Sequence, residues 1–201
     1  PAARVLIVRG GGAPTPALDP AAMCRIALSA DSYPDTPWSL AARTIEADQL
    51  GPEELSGADA AVLCELPTVT ESQAAALEQF AREGGSVAVF LGPDVKPEAY
   101  HGVLGADRPG CLLPLELLEP VGQVGLAATA LTADWADTDH PLLAGLYPNA
   151  GDYLTPLVQR YFPVRADSRW RPLVRLSGGD PLLLARTHGA GQVLFCTAPA
   201  S

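Results

Sequence analysis

The chain has 201 residues, 48% of them hydrophobic and 18% charged, and its 13 basic and 23 acidic residues give a net charge of −10. This charge disfavours nucleic acid and anionic lipid as partners, because phosphate groups are bound by clustered positive charge. The length predicts a single domain over residues 1–201, large enough to fold without a disulfide or a metal. Because no long apolar run is present, we expect a soluble domain that does not itself insert into a membrane.

The first part of the chain predicts alternating strands and helices. Arg4–Arg9 is a β-branched run that ends at glycines, which predicts a buried strand. Asp19 followed by proline is a typical helix start, and apolar residues at helical spacing then predict a helix over Pro20–Ala30. Ala42–Ala47 is a further strand candidate, and Pro52-Glu53-Glu54 can begin one helical turn.

The clearest unit runs from Asp59 to Gly92. It contains two continuous apolar runs, Ala60–Leu66 and Val87–Leu91, separated by a capping-box sequence, Thr70-Glu71-Ser72-Gln73, and an amphipathic stretch that ends at two glycines. Runs that are apolar throughout are typical of parallel strands buried on both faces. The pattern therefore predicts a right-handed strand–helix–strand unit in a mostly parallel sheet.

The second part is less regular. Lys96–Leu104 predicts a short helix, Leu112–Leu118 and Val121–Ala127 are weak strand candidates, and Asp139–Leu146 predicts a helical turn. Three strands are predicted near the end, and the last two form a hairpin through His188-Gly189-Ala190-Gly191; these strands are Pro172–Leu176, Leu182–Thr187 and Gln192–Thr197. Because apolar runs lie close to both ends, we expect a domain excised from a longer protein.

Four phrases carry a resemblance to a known family: VLIV, GADAAVLCELPTVTESQAAALEQFAREGGSVAVFLG, TDHPLLAGL and HGAGQVLF. Together with the order of elements, they resemble the class I glutamine amidotransferase-like domains, including trehalose-utilisation-type relatives. The resemblance implies a flavodoxin-like α/β fold, a three-layer sandwich with a mostly parallel central sheet and a C-terminal β-hairpin. It is similar above all to modules of large membrane-anchored bacterial proteins of the aerotolerance type, which often carry a von Willebrand A domain. This implies a tether to the inner membrane through other parts of such a protein.

The enzymes of that family carry a reactive cysteine on a sharp turn within a G-x-C-x-G pattern. The matching stretch here is Ala88-Val89-Phe90-Leu91-Gly92, so Phe90 stands where the cysteine would be and Ala88 replaces the first glycine. Phenylalanine has no nucleophilic atom, and no histidine follows the last predicted strand. By this comparison the elbow at Phe90 and Gly92 is degenerate, and the sequence favours a domain without the family's activity.

Three residues are weaker catalytic candidates. Cys196 ends a predicted strand, where open α/β sheets bind ligands, and could act with His188 or His140. His140 follows Asp139, a carboxylate that could orient its ring, although Asp139 capping a short helix is the simpler interpretation. Glu65 ends the strand before the elbow strand, and its alternative is an ordinary solvent-facing carboxylate.

Other patterns are better explained without a ligand. Asp134, Asp137 and Asp139 lack the glycine and distal glutamate of a calcium loop, and Gly10-Gly11-Gly12 matches no phosphate-binding pattern. The four cysteines form no C-x-x-C pair or disulfide framework. We therefore expect no cofactor and no metal. Loop aromatics could bind a protein or cover the rim of the core; they are Trp38, Trp135, Trp170, Tyr147, Tyr153, Tyr161 and Phe162.

These observations predict a non-catalytic binding domain whose partner is a protein, inside a larger bacterial assembly. Two alternatives stay open. One is a cryptic hydrolase or amidotransferase that uses a relocated cysteine or an Asp/His pair, and the other is a small-molecule sensor that keeps the cleft at the sheet edge. The sequence does not indicate an oligomeric state.

Overall fold

The computed structural model describes residues 2–10, 19–29, 39–105, 110–123, 125, 130–144 and 157–199. The helices are α1 (Pro20–Ala27), α2 (Pro52–Ser56), α3 (Glu71–Arg82) and α4 (Pro97–Leu104), with a short 3₁₀ turn at Ala47–Gln49. The strands are β1 (Ala2–Arg9), β2 (Ser39–Glu46), β3 (Ala60–Cys64), β4 (Ser86–Phe90), β5 (Leu115–Leu117), β6 (Val121–Gly122), β7 (Leu131–Ala136), β8 (Leu157–Val158), β9 (Arg160–Tyr161), β10 (Val164–Ala166), β11 (Arg171–Leu176), β12 (Pro181–His188) and β13 (Gly191–Cys196).

A nine-stranded sheet organises the described part of the chain, with the strand order β2-β1-β3-β4-β13-β12-β11-β7-β8. The first five strands are parallel, and the remaining pairings are antiparallel. The predicted α/β class, the parallel centre and the C-terminal hairpin of β12 and β13 are confirmed. Two further pairs, β5 with β10 and β6 with β9, are antiparallel and lie outside this sheet.

The strand–helix–strand unit forms as predicted, from β3 through α3 to β4. The Thr70 hydroxyl accepts a hydrogen bond from the Gln73 backbone N–H at 3.3 Å, and the Gln73 side chain accepts one from the Thr70 N–H at 2.9 Å. The Gln73 amide also donates to the Ala47 carbonyl at 2.6 Å, which joins the start of α3 to the preceding loop. The helix ends at Arg82, and Gly84, two residues later, has a φ of 114°, a conformation that favours glycine.

The core lies on both faces of the parallel half because side chains alternate along each strand. On β1, Leu6 and Val8 belong to the main cluster, which includes residues of α2 and α3. Val5 and Ile7 point the other way and pack with Ala21 of α1. Helices therefore cover the parallel half from both sides.

Several predicted boundaries are wrong. The Ala42–Ala47 strand begins earlier, at Ser39, and the Leu112–Leu118 strand is limited to β5, after Pro114. Of Val121–Ala127, only β6 is a strand among the described residues. The helical turn predicted at Asp139–Leu146 is present as far as it is described, because the Ala144 N–H donates to the His140 carbonyl at 2.8 Å. The helix α1 ends at Ala27, three residues before Ala30, which lies outside the described residues.

Within the described ranges, none of the helices combines the length and the apolar character needed to cross a bilayer.

The capping box gives a first testable prediction. Thr70→Ala removes the hydroxyl that satisfies the Gln73 N–H, so we expect the free energy of unfolding to fall by about 1 kcal/mol. Thr68→Ala, at an exposed position outside the helix, is the matched control and should change it by less than about 0.5 kcal/mol. Urea denaturation of both variants measures the difference. Equal losses in the two variants would contradict the role assigned to the cap.

Candidate functional site

The candidate site is the edge at which the five parallel strands end. The structure pairs Arg9 with Cys64, Cys64 with Phe90, and Phe90 with Cys196 in register across β1, β3, β4 and β13. Directly paired residues face the same side of a sheet, so these four side chains form one row. We call it the carboxyl-edge row. Open α/β sheets bind their ligands beyond this edge.

Phe90, which the resemblance aligns with the nucleophile of the amidotransferase-like enzymes, sits in regular strand structure. It is the last residue of β4 and is paired on both sides, to Cys64 and Cys196. Its carbonyl accepts a hydrogen bond from the Glu65 N–H at 3.0 Å. Among the described non-glycine residues only Glu65 has a positive φ, so Phe90 is not held on the sharp turn of a nucleophile elbow.

The backbone strain lies one strand away, at Glu65, whose φ is 55°. Two glycines enclose this half-buried residue. A Cβ atom on Gly10 would lie 2.3 Å from the Glu65 carbonyl oxygen, and one on Gly92 would lie 2.5 Å from the Glu65 Cβ. Gly92 is therefore required by the close approach of Glu65, a role that the elbow comparison did not indicate.

A buried acid and an arginine anchor α1 to this edge. The Arg9 guanidinium contacts Asp19 at 2.7 Å and Glu46 at 2.9 Å. Asp19 also caps α1 by accepting a hydrogen bond from the Ala21 N–H at 3.0 Å. The contacts hold β1, β2 and the start of α1 together. Sequence analysis missed this role of Arg9, although an arginine at the end of an apolar strand, followed by an acidic N-cap, was the available signal.

Cys196 is an unactivated thiol. Burial raises its pKa to about 11, so the group is protonated at neutral pH. The next residue, Thr197, is fully buried, and its hydroxyl donates to the Pro181 carbonyl at 3.0 Å. A protonated, desolvated thiol is a poor nucleophile, and it behaves here as a small apolar side chain.

The structure does not bring the candidate histidines to the carboxyl-edge row. His188 ends β12 beside Gly191, the first residue of β13, so it lies at the opposite end of that strand from Cys196. Burial and the Arg186 charge lower the pKa of His188. His140 follows β7, which runs antiparallel to β11 and therefore ends at that same opposite edge. Its Nδ1 atom accepts the Leu142 N–H at 3.3 Å.

The third histidine is also committed to the backbone. The Nε2 atom of His101, on α4, accepts the Leu117 N–H at 2.7 Å and so ties that helix to β5. The neighbouring Tyr100 hydroxyl donates to the Leu66 carbonyl at 2.7 Å, and burial raises the Tyr100 pKa. Both contacts position α4. The first of them also occupies the Nε2 atom of His101, which is then not free to accept a proton from a substrate.

The acidic cluster and the loop aromatics named above include residues that make contacts within the fold. Asp137 binds Arg171 at 2.6 Å, and no group of metal-ligating side chains that could hold an ion occurs within the described ranges. Trp170 is buried, donates to the Pro114 carbonyl at 3.2 Å and packs against Phe195, whereas Trp135 is 43% exposed. Some residues singled out above lie outside the described residues, namely Gly11, Gly12, Trp38, Tyr147 and Tyr153.

A cleft of about 240 Å³ opens elsewhere, near the amino end of β1. Arg4, Arg43 and Glu54 line it together with neighbouring apolar residues. Arg4 is paired with Asp59 at 3.2 Å and Arg43 with Glu54, so both of its cations are neutralised. This cleft is distant from the carboxyl-edge row.

No protein-family model and no curated protein matches the chain. Solved structures with a similar fold exist at low sequence identity. A cytoplasmic protein from Salmonella typhimurium LT2 superposes with a TM-score of 0.69 at 14% identity, covering 98% of this chain and 89% of that one. A putative ThuA-like protein from Bacteroides uniformis has a TM-score of 0.63 at 13% identity, covering 98% of this chain and 82% of that one.

The same fold also occurs as part of a larger enzyme. A beta-galactosidase from Bacillus circulans superposes with a TM-score of 0.59 at 14% identity, covering 98% of this chain and 28% of that one. Likeness at this level of identity establishes the fold and leaves the activity open.

The contact between Gly92 and Glu65 can be tested by a double-mutant cycle. Gly92→Ala places a Cβ against the Glu65 side chain, and we expect a loss of about 1–3 kcal/mol in unfolding free energy. Glu65→Gly removes the Cβ and Cγ atoms that obstruct the added methyl group and also the positive-φ strain, so it should rescue most of that loss in the double variant. Gly57→Ala, where nothing lies within 4 Å, is the control. Additive effects of the two changes would refute the contact.

The state of Cys196 can be read from its reactivity. Because burial raises its pKa to about 11, alkylation by iodoacetamide should be slow at pH 8 and accelerate towards pH 11. Mass spectrometry of the tryptic peptide 187–201 over a pH series measures the rate. A midpoint near that of an ordinary cysteine, about 8.5, would instead support a thiol-based site.

Proposed function

We propose that the chain is a non-catalytic amidotransferase-like domain that works by binding a protein. The observation that carries the proposal is Phe90, which occupies the nucleophile position in ordinary strand geometry between two cysteines of neighbouring strands. An aromatic ring at that point supplies packing surface but no electron pair for attack on a carbonyl.

The surroundings of Phe90 favour this proposal over a relocated active site. Acyl transfer by a thiol needs a base within hydrogen-bond reach, but His140 and His188 lie at the opposite sheet edge from Cys196. Burial also keeps the Cys196 thiol protonated. This placement argues against a Cys196–histidine pair as the start of such a reaction.

The order of the strands supports assignment to the flavodoxin-like folds. Taken in chain order, the five parallel strands are arranged 2-1-3-4-5, which is the flavodoxin-like order, and helices cover both faces. We propose that the domain is a flavodoxin-like three-layer sandwich extended by four antiparallel strands. The likeness to a ThuA-like protein supports this assignment.

The binding surface that we propose lies on the antiparallel end of the sheet. Three large apolar side chains on or near β7 and β8 are strongly exposed: Trp135 (43%), Leu142 (41%) and Leu157 (61%). Aromatic and aliphatic groups of this kind are typical anchors of protein interfaces. The overall charge of −10 favours a protein partner over nucleic acid. By the resemblance described above, we place this domain in a larger, membrane-tethered bacterial protein.

The absence of amidotransferase chemistry is directly testable. Purified chain should release ammonia from glutamine only at the uncatalysed rate, and a glutamine-derived chloroketone should not label it. Phe90→Cys should remain inactive, because His140 and His188 lie at the opposite sheet edge and the His101 Nε2 atom already accepts the Leu117 N–H. Ammonia release that Cys196→Ser abolishes would overturn the proposal in favour of a relocated active site.

The binding surface is tested with a photoreactive amino acid in the full-length protein in its own cells. A crosslinker at position 135 should give one defined protein adduct, identified by mass spectrometry, while the same group at exposed position 53 on α2 should not. The same pattern is expected at position 157. Failure at both 135 and 157 would refute this surface.

A further inference from the structure

Two cysteines from different elements meet at the carboxyl-edge row, to which one of them belongs. The Sγ atoms of Cys24, on α1, and Cys64, at the end of β3, are 3.5 Å apart, although the residues are 40 positions apart in sequence. Both are free thiols, and Cys24 is partly exposed whereas Cys64 is buried. The other two cysteines, Cys111 and Cys196, are also free thiols.

The separation suits a reversible bond. A disulfide is about 2.05 Å long, so the sulfur atoms need to approach by only about 1.5 Å. Cys24 lies on the eight-residue helix α1 and packs in the same apolar cluster as Cys64. The partial exposure of Cys24 provides the access that an oxidant needs.

We propose that Cys24 and Cys64 form a reversible disulfide site that is oxidised by low-molecular-weight disulfides. The proposal does not depend on the binding function described above. It assigns Cys24 as the residue attacked from solvent and Cys64 as the residue that completes the bond.

The reaction proceeds by two exchanges that balance. The Cys24 thiolate attacks one sulfur of the oxidant, forms a mixed disulfide and releases one thiolate. Cys64 then loses its proton and attacks the Cys24 sulfur, which forms the internal disulfide and releases the second thiolate. Two protein thiols are oxidised by two electrons, the oxidant is reduced to two thiols, and these take up the two protons.

The electrostatics agree with this order. The Cys64 thiol donates a hydrogen bond to Cys24, which lowers the pKa of Cys24. The same pairing together with burial raises the pKa of Cys64. The carboxylates of Glu65 and Asp19 raise both values and so oppose thiolate formation at either sulfur. Cys24 is therefore the first sulfur to react.

The bond would fasten α1 to the end of β3. Cys64 directly precedes Glu65, and α1 is already tied to β1 by the Asp19–Arg9 ion pair. A covalent link over a loop of about 40 residues restricts the unfolded chain, so we expect the melting temperature to rise by roughly 5–10 °C on oxidation.

The test incubates the purified chain with oxidised glutathione, blocks remaining thiols by alkylation and maps tryptic peptides without reduction. The expected product joins peptide 10–25, which contains Cys24, to peptide 44–82, which contains Cys64. Its mass is the sum of the two peptides less two hydrogen atoms, and a reductant separates them. Complete alkylation of both cysteines would overturn the proposal, as would equal pairing with Cys111 or Cys196.

Variants assign the order of reaction. Cys64→Ala should stop at a mixed disulfide on Cys24, whereas Cys24→Ser should acquire neither glutathione at position 64 nor the rise in melting temperature. Cys196→Ser, which alters another cysteine of the carboxyl-edge row, is the matched control and should form the bond as the unchanged chain does. The peptide map of the unsubstituted chain shows whether the Cys24–Cys64 bond forms. The proposal therefore remains testable even if a variant folds poorly. Glutathione found on Cys64 rather than Cys24 would refute the assigned order.

Discussion

The close approach of three backbone segments at the carboxyl ends of β1, β3 and β4 constrains the rest of the site. Gly10 donates its N–H to the Cys64 carbonyl at 2.9 Å, and Glu65 donates to the Phe90 carbonyl at 3.0 Å. These bonds extend the parallel ladder one residue past each strand. They also fix which side chains lie next to one another, because a shift by one residue would turn every side chain to the other face. Gly10 and Gly92, on the two neighbouring segments, make this close approach to Glu65 sterically possible because they have no Cβ atom.

The geometry of this edge agrees with the proposal of a domain without amidotransferase chemistry. The edge retains a tight turn after β3, a buried acid–arginine anchor at α1 and a row of side chains facing one way. Its side chains include an aromatic ring, a protonated thiol and a cysteine pair whose sulfur atoms contact each other. Such groups favour packing and redox chemistry over attack on a carbonyl.

The predictable part of the fold consists of elements with strong local signals. The unit from β3 to β4 was found because continuous apolar runs, a capping box and a double glycine agree with one another. The strands β7 to β10 were missed because they are short and partly exposed, and their pairing depends on distant segments. The site also combines predictable and unpredictable features. The position of Phe90 at the end of a strand follows from the local apolar run. The contact between Cys24 and Cys64 depends on how α1 packs against β3, which has no local signal. The positive φ of Glu65 likewise has no local signal, since glutamate rarely adopts it.

The position of β13 also bears on how the chain reaches its fold during synthesis. Ser86 of β4 pairs with Gln192 of β13, a partner roughly one hundred positions later in the polypeptide. Until those residues leave the ribosome, β4 presents an open row of backbone donors and acceptors, and such an edge invites pairing with other nascent chains. The hairpin of β12 and β13 closes locally and can dock as one piece. The yield of folded protein therefore depends on the time between the synthesis of β4 and that of β13. Slow translation of the residues between them would favour aggregation over folding.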